Sequence, residues 1–99
     1  MKALIMTDIE GVAGVVSFEK QSYADGKYYE QAKHLLTQEV NAAVAGLGEA
    51  AVDEVLVIDG HGSGGIVFEE LHPSAKLMHG RPLAPLSVRE EVWSRYDVF

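Results

Sequence analysis

The stretch "ALIMTDIEG", residues 3–11, decides which fold the chain is expected to adopt. Its apolar start, residues 3–6, shows no alternation with polar residues and predicts a β-strand buried on both faces. The run ends in two carboxylates one residue apart, Asp8 and Glu10. An ionised carboxylate is costly to bury unless it is paired or bound to a metal ion. These two side chains therefore need a compensating partner if the strand is as buried as its composition indicates.

A helix and a second strand follow in sequence. Apolar residues spaced three or four apart predict one buried helix face, formed by Tyr29, Ala32, Leu36, Val40, Ala43 and Leu47. A second continuous apolar run, Val55 to Ile58, is ended by Asp59 and Gly60. Strand, helix and strand in this order predict a βαβ unit with parallel strands and a right-handed crossover.

The rest of the chain extends the same pattern. "KLMHG", residues 76–80, predicts a third short strand, residues 86–95 predict a short helix, and "YDVF", residues 96–99, has the composition of a beginning strand. We therefore expect an α/β fold with a three-layer, sandwich-like arrangement around a parallel or mixed sheet. Residues 1–99 are expected to form one α/β domain, the N-terminal and incomplete part of a longer domain.

Composition narrows the range of partners. A length of 99 residues with 47% hydrophobic residues suits a small domain with a modest core. A formal net charge of -7 makes nucleic acid and anionic membrane surfaces poor partners. The absence of cysteine excludes disulfides and thiolate metal sites. The N-terminus lacks the pattern of a signal peptide, and no stretch approaches the ~20 apolar residues of a membrane span, so we expect a soluble cytoplasmic protein.

Polar side chains stand at the ends of both predicted central strands. Asp59 and His61 repeat, after the second strand, the one-residue spacing of Asp8 and Glu10 after the first. The carboxyl ends of parallel strands share one edge of the sheet, where open α/β sheets bind ligands. Carboxylates and imidazole are good ligands for Zn²⁺, Mn²⁺ or Fe²⁺. Spacing alone leaves open whether these residues bind a metal or are solvated strand ends.

The glycines of "GHGSGG", residues 60–65, offer a different interpretation. They match G-x-G-x-x-G, the dinucleotide-binding pattern, which requires a following helix and an acidic residue about 20 positions later. The next stretch, residues 66–75, is a poor helix, and Arg81 stands where an acid is needed. A nucleotide- or phosphate-binding module is the second hypothesis. A non-catalytic assembly subunit of the same fold is the third.

Four segments of the chain resemble a known family. They are "TDIEGVAGV" (7–15), "TQEVNAAVAGL" (37–47), "VIDGHG" (57–62) and "EELHPSAKLMHG" (69–80). In order and register they are similar to the zinc-dependent D-aminopeptidases of the DppA type, peptidase family M55. The resemblance runs through the whole chain.

The resemblance implies a fold, a chemistry and a set of ligands. Family members are α/β proteins with two zinc ions that remove N-terminal D-amino acids, typically D-alanine, from short peptides by metal-assisted hydrolysis. They form homo-oligomeric rings, with a decamer as one expected size. By motif position, Asp8, Glu10 and His61 correspond to metal ligands, with Asp8 bridging the two ions. Asp59 does not correspond to a ligand and is expected to orient the site from behind the ligands.

The resemblance also implies that part of the site lies elsewhere. The family's remaining histidine and glutamate ligands and its catalytic histidine are expected beyond residue 99, so no catalytic residue is assigned within the chain. The segment after His61, "SGGIVFEEL", departs from the family pattern, which affects substrate contacts more than metal binding. For the 99 residues alone we expect weak metal binding and little or no activity.

Overall fold

The computed structural model describes residues 1–79 and 81–99. Three parallel strands form one sheet in the order β1, β2, β3, with β1 at Lys2–Thr7, β2 at Glu54–Asp59 and β3 at Ala75–Met78. Two α-helices accompany it, α1 at Tyr29–Glu49 and α2 at Leu86–Trp93. A single π-helical turn lies at Phe18–Ser22 and a single 3₁₀ turn at Phe68–Glu70. The prediction of an α/β fold with a βαβ crossover is confirmed.

The third strand and the last helix differ slightly from their predicted bounds. Strand β3 begins one residue earlier than predicted and ends at Met78. Gly80, the last residue of the predicted strand, lies outside the described residues. Helix α2 ends at Trp93, two residues earlier than predicted. None of the helices that the structure describes combines the length and the apolar character needed to cross a membrane.

The sheet is covered on both faces, so the predicted three-layer arrangement is confirmed. Helix α1 packs on one face and closes the larger core, whose buried members are Ile9, Val12, Tyr29, Ala32, Leu36, Val40, Val44, Val55, Val57 and Ile66. On the opposite face, Leu4, Leu56 and Ile58 pack against Val92 and Trp93 of α2. Strand β2 lies in the middle, and its residues 55–59 are all buried.

The buried face of α1 differs from the prediction in two respects, because Thr37 is also buried and Val44 takes the place of Ala43. Ala43 is exposed, and the neighbouring Val44 is buried in its place. The buried residues Leu36, Val40 and Val44 follow one another at intervals of four, along one row of the helix surface. Spacings of three and four both suit a helix face, and the larger valine side chain occupies the core.

Strand β1 is less buried than its sequence predicts. Ala3 and Leu4 are buried, but Met6 is 59% exposed. On the side of β1 away from β2, Val98 forms an isolated parallel bridge with Ala3, and its carbonyl accepts a hydrogen bond of 2.9 Å from Leu4 N–H. After β3 the chain has thus crossed back to the far side of β1. The direction of strand addition reverses at β1, and such switch points are where open α/β sheets bind ligands.

Candidate metal centre

The parallel register of β1 and β2 brings two loops together. Thr7, the last residue of β1, pairs with Asp59, the last residue of β2. Directly after this pair, Gly60 N–H donates a 2.8 Å hydrogen bond to the Thr7 carbonyl. A Cβ atom at position 60 would lie 2.5 Å from that carbonyl oxygen, which is too close for any side chain. Glycine therefore allows the second loop to start against the first, which places His61 beside Asp8.

The loops bring Asp8, Glu10 and His61 into one cluster. His61 Nδ1 lies 3.0 Å from Asp8 Oδ1 and 3.8 Å from Glu10 Oε2. Each residue offers one donor atom, and the three atoms lie within 4.8 Å of one another. Strand β1 ends at Thr7, and residues 9–11 form a bend and a turn that bring Glu10 to the cluster. Gly11, at φ 95°, supplies the left-handed conformation of this turn.

The orientation of the His61 ring follows from its second nitrogen. Nε2 lies 2.7 Å from the backbone carbonyl of Ser22, and a carbonyl can only accept a hydrogen bond. Nε2 therefore carries a proton, and in the neutral ring Nδ1 directs a lone pair at two carboxylates. A proton on Nδ1, donated to Asp8, satisfies this arrangement without a metal. When Nδ1 is unprotonated, all three groups offer electron pairs, and a bound cation would stabilise them together. Geometry and donor chemistry together make the cluster a candidate cation site.

The two distances from His61 Nδ1 to the carboxylates also suit a zinc ion. Atoms bound to one zinc at about 2.1 Å lie at most about 4.2 Å from each other. Both distances from His61 Nδ1, to Asp8 and to Glu10, fall below this limit. Nitrogen and oxygen donors of this kind are the common protein ligands of zinc. The residues present therefore fit the ion.

The carboxylates of the cluster are more hydrated than the sequence suggested. The side chains of Asp8 and Glu10 are 61% and 39% exposed, so neither bears the full cost of burial. The partial burial of Asp8 works to raise its pKa. The hydrogen bond from Ile9 N–H, together with Glu10 and His61, outweighs this effect and holds the pKa of Asp8 below its ordinary value. Asp8 is therefore ionised at neutral pH.

The fully buried carboxylate is Asp59, whose side chain is 0% exposed. It accepts hydrogen bonds from three backbone N–H groups, those of His61 at 3.2 Å, Gly65 at 2.8 Å and Ile66 at 3.1 Å. These bonds offset the loss of hydration and curl the loop 60–66 around the carboxylate. Asp59 thus contacts the backbone of His61 and lies outside the three-residue donor cluster.

The same hydrogen bonds argue against phosphate binding by the glycine-rich loop. A phosphate-binding loop needs backbone N–H groups directed at the ligand and a helix that begins at the loop. Here the N–H groups of Gly65 and Ile66 already donate to Asp59. The loop continues into extended chain and the single turn Phe68–Glu70. No structural feature of residues 60–70 favours the nucleotide hypothesis.

The sequence did not indicate two groups that form hydrogen bonds to loop 60–66 from other parts of the chain, the Tyr29 hydroxyl and the Ser22 carbonyl. The Tyr29 hydroxyl donates to the Gly64 carbonyl, and its ring lies 6.0 Å from the imidazole of His61, centroid to centroid. Burial raises the pKa of Tyr29, which keeps this hydroxyl protonated as a donor. In the sequence, Tyr29 carries only the signal of a core residue at the start of α1. The Ser22 carbonyl is a backbone group and leaves no signal of its own.

Fold and cluster together define an α/β protein with a candidate divalent-metal centre at the carboxyl edge of its parallel sheet. The chain belongs to the M55 peptidases, the D-aminopeptidase family, whose family model matches residues 1–99. Among curated proteins it is similar to a D-aminopeptidase of Bacillus subtilis (strain 168), with 31% identity over 93 residues. That alignment covers 91% of this chain and 32% of the relative.

A solved structure gives the same relationship. The chain is similar to the Zn-dependent D-aminopeptidase DppA from Bacillus subtilis, described as a self-compartmentalizing protease. The TM-score is 0.72 at 30% sequence identity, and the match covers 83% of this chain and 30% of the other. The chain therefore spans just under a third of the length of these relatives.

Proposed function

We propose that the protein is a zinc-dependent aminopeptidase that removes N-terminal D-amino acids, such as D-alanine, from short peptides. We further propose that Asp8, Glu10 and His61 bind its metal. The observation that carries the proposal is the His61 imidazole, whose Nε2 faces a carbonyl while Nδ1 faces two carboxylates. The names of the relatives, a D-aminopeptidase and a Zn-dependent D-aminopeptidase, support the substrate class and the metal.

Asp8, Glu10, His61 and Asp59 would have different roles at such a metal centre. A bound zinc ion would activate water for hydrolysis by lowering its pKa to about 7 and would polarise the scissile carbonyl. Asp8 and Glu10 supply two negative charges that balance the dication, and His61 supplies a neutral nitrogen donor. Asp59 acts as a positioning residue, because it holds the backbone N–H of His61.

We propose two zinc ions in the complete site, with Asp8 bridging them. A catalytic zinc usually takes three protein ligands, so two ions need more donors than Asp8, Glu10 and His61 provide. The remaining ligands and the catalytic histidine are expected beyond residue 99. Residues 1–99 alone should therefore bind zinc weakly and hydrolyse peptides slowly or not at all.

Assembly and location belong to the same proposal. The solved relative is described as self-compartmentalizing, which supports a homo-oligomeric ring, with a decamer as the expected size. Short peptides would enter the chamber of this ring in the cytoplasm. Light scattering before and after chelation separates this proposal from a metal-free assembly subunit, which would keep its oligomeric state and contain no zinc.

The decisive experiment measures metal and substrate together. The purified full-length protein is analysed for zinc by elemental analysis and assayed for hydrolysis of D-Ala-D-Ala, with L-Ala-L-Ala as the control substrate. We expect bound zinc, hydrolysis of the D-peptide alone, and loss of activity on chelation that added zinc restores. A protein that takes up no zinc, or that is stabilised by nucleotides and not by zinc in a thermal-shift assay, would contradict the proposal.

A further inference from the structure

A buried glutamine lies one residue before the carbonyl that orients His61. Gln21 and Ser22 are 4% and 3% exposed, although most of the surrounding segment, residues 13–28, is exposed or half-buried. Both belong to the single π-helical turn Phe18–Ser22. The glutamine therefore lies inside the loop that meets the proposed metal centre.

The side chain of Gln21 ties this loop together. Its Oε1 accepts hydrogen bonds from the N–H groups of Val16 at 2.7 Å and Ser17 at 2.8 Å. Its Nε2 donates to the Gly14 carbonyl at 2.9 Å. The backbone N–H of Gln21 adds a 3.0 Å bond to the Ser17 carbonyl. One side chain thus joins the π turn to the segment that lies after Asp8 and Glu10.

The other side of the turn is held by close backbone packing. Tyr28 N–H donates to the Lys20 carbonyl at 2.8 Å. A Cβ atom at Gly26 would lie 2.5 Å from the same carbonyl oxygen, so the chain passes the turn at a distance that only glycine allows. The turn is therefore fixed between residues 14–17 on one side and residues 26–28 on the other, and Ser22 has little freedom to rotate.

We propose that Gln21 is a positioning residue that selects Nδ1 of His61 as the metal-binding nitrogen. By fixing the π turn it directs the Ser22 carbonyl at Nε2 of His61, at 2.7 Å. A hydrogen bond to one ring nitrogen determines which nitrogen is free to bind metal. Without the Gln21 bonds, the Ser22 carbonyl loses its fixed direction and the ring can turn. This inference rests on the proposed metal centre.

The test measures which nitrogen binds metal, together with zinc affinity. ¹⁵N-labelled protein is loaded with ¹¹³Cd²⁺, and the metal–nitrogen coupling of His61 is measured by NMR. Zinc affinity is measured by competition with a chelator. The variants are Gln21→Ala, which removes all three side-chain hydrogen bonds, and Gln21→Glu, which keeps the acceptor and loses the donor to Gly14. Gln38→Ala, the same change at an exposed position of α1, is the matched control.

We expect coupling to Nδ1 in the unchanged protein and in Gln38→Ala. In Gln21→Ala the coupling should be lost or divided between both nitrogens, and zinc should bind about tenfold more weakly, as after loss of an outer hydrogen-bond partner. The zinc affinity and the Nδ1 coupling of Gln21→Glu should lie between those of the unchanged protein and those of Gln21→Ala. If Gln21→Ala does not fold, which circular dichroism reports, Gln21→Glu decides the question by the same coupling.

Failure of the inference about Gln21 and failure of the proposed metal centre would give different results. If the unchanged protein binds cadmium through Nδ1, and the folded Gln21 variants keep that coupling and an affinity within about twofold, Gln21 is only structural and the inference is wrong. If the unchanged protein shows no cadmium coupling at His61, the proposed metal centre itself fails, and the inference fails with it.

Discussion

His61 and Asp8 are 53 positions apart in the chain, yet Nδ1 of the imidazole lies 3.0 Å from Oδ1 of the carboxylate. The parallel register explains this meeting, because Thr7 and Asp59 form the last pair of β1 and β2 and the two side chains come within two residues of it. The site therefore depends on the pairing of the strands as much as on the donor residues.

Removing the imidazole should abolish tight zinc binding by the full-length protein. We expect His61→Ala to weaken zinc affinity by more than about 100-fold, the upper end of the loss caused by outer hydrogen-bond partners, because a ligand is lost outright. Chelator competition measures this change. His34→Ala is the control, since His34 is exposed and pairs with Glu70 away from the cluster. If His61→Ala retained an affinity within a few-fold of the unchanged protein, His61 would not be a ligand.

Neutralising the buried carboxylate should weaken both fold and site. In Asp59→Asn, an amide NH₂ replaces one oxygen and faces backbone N–H groups that then lack an acceptor. Each buried donor left unsatisfied costs about 1–3 kcal/mol, so we expect the free energy of unfolding to fall by about 3 kcal/mol. Urea denaturation of the zinc-free protein measures the loss.

The Asp59→Asn variant should lose zinc affinity as well as stability. Loss of the bond to His61 N–H should also weaken zinc affinity by about tenfold. Asp25→Asn, at an exposed position, should change neither quantity. Normal stability in Asp59→Asn would mean that the loop does not depend on the carboxylate.

Two glycines should respond in opposite directions to alanine. At Gly60 the added Cβ would meet the Thr7 carbonyl at 2.5 Å, so the two loops must separate, and we expect a loss of about 1–3 kcal/mol and weaker zinc binding. At Gly46, inside α1, the Cβ meets nothing within 4 Å. Alanine there should stabilise the protein by up to about 1 kcal/mol through helix propensity. Thermal or urea unfolding of both variants checks the contrast, and a Gly60→Ala variant of unchanged stability would contradict it.

Glu54 begins β2, at the end of the sheet away from the candidate metal centre, and its hydrogen bonds should make stability depend on pH. Hydrogen bonds from Lys76 at 2.7 Å and from the Tyr96 hydroxyl at 2.6 Å lower the pKa of Glu54 from 4.5 to about 2. Burial and the bond to Glu54 raise the pKa of Tyr96 from 10.0 to about 12.

The two shifts act at opposite ends of the pH scale. A lowered carboxyl pKa stabilises the fold above pH 4.5, and this contribution is lost as the pH falls towards 2. A raised phenol pKa stabilises the fold below pH 10, and this contribution is lost as the pH rises towards 12. Unfolding measured across pH should therefore show stability declining in both windows.

The Tyr96→Phe variant tests this assignment. It should make the decline below pH 4.5 shallower and remove the contribution of Tyr96 above pH 10. Tyr23→Phe, at an exposed tyrosine of the loop, serves as the control and should leave both windows as they are. Identical profiles for Tyr96→Phe and the unchanged protein would show that the Tyr96–Glu54 hydrogen bond does not form in solution.

Local patterns in the sequence were enough for the main elements. The unbroken apolar runs at 3–6 and 55–58 lie in strands β1 and β2, and the periodic run from Tyr29 onwards forms α1. The choice between Ala43 and Val44 could not be made, because both suit a helical period and only the shape of the core separates them. The exposure of Met6 was also missed, because it depends on what lies beside β1 in space.

The sequence by itself determined the α/β class, the parallel βαβ unit and the chemical nature of the donors, because strand and helix periodicity and side-chain chemistry are local properties. Only the tertiary structure decided that Asp59 is the buried carboxylate while Asp8 and Glu10 face solvent. It also decided which nitrogen of His61 faces the carboxylates, through the carbonyl of Ser22 and the hydrogen bonds of Gln21. The physical reason is that burial and hydrogen-bond direction depend on groups distant in sequence, and a backbone carbonyl carries no sequence signal.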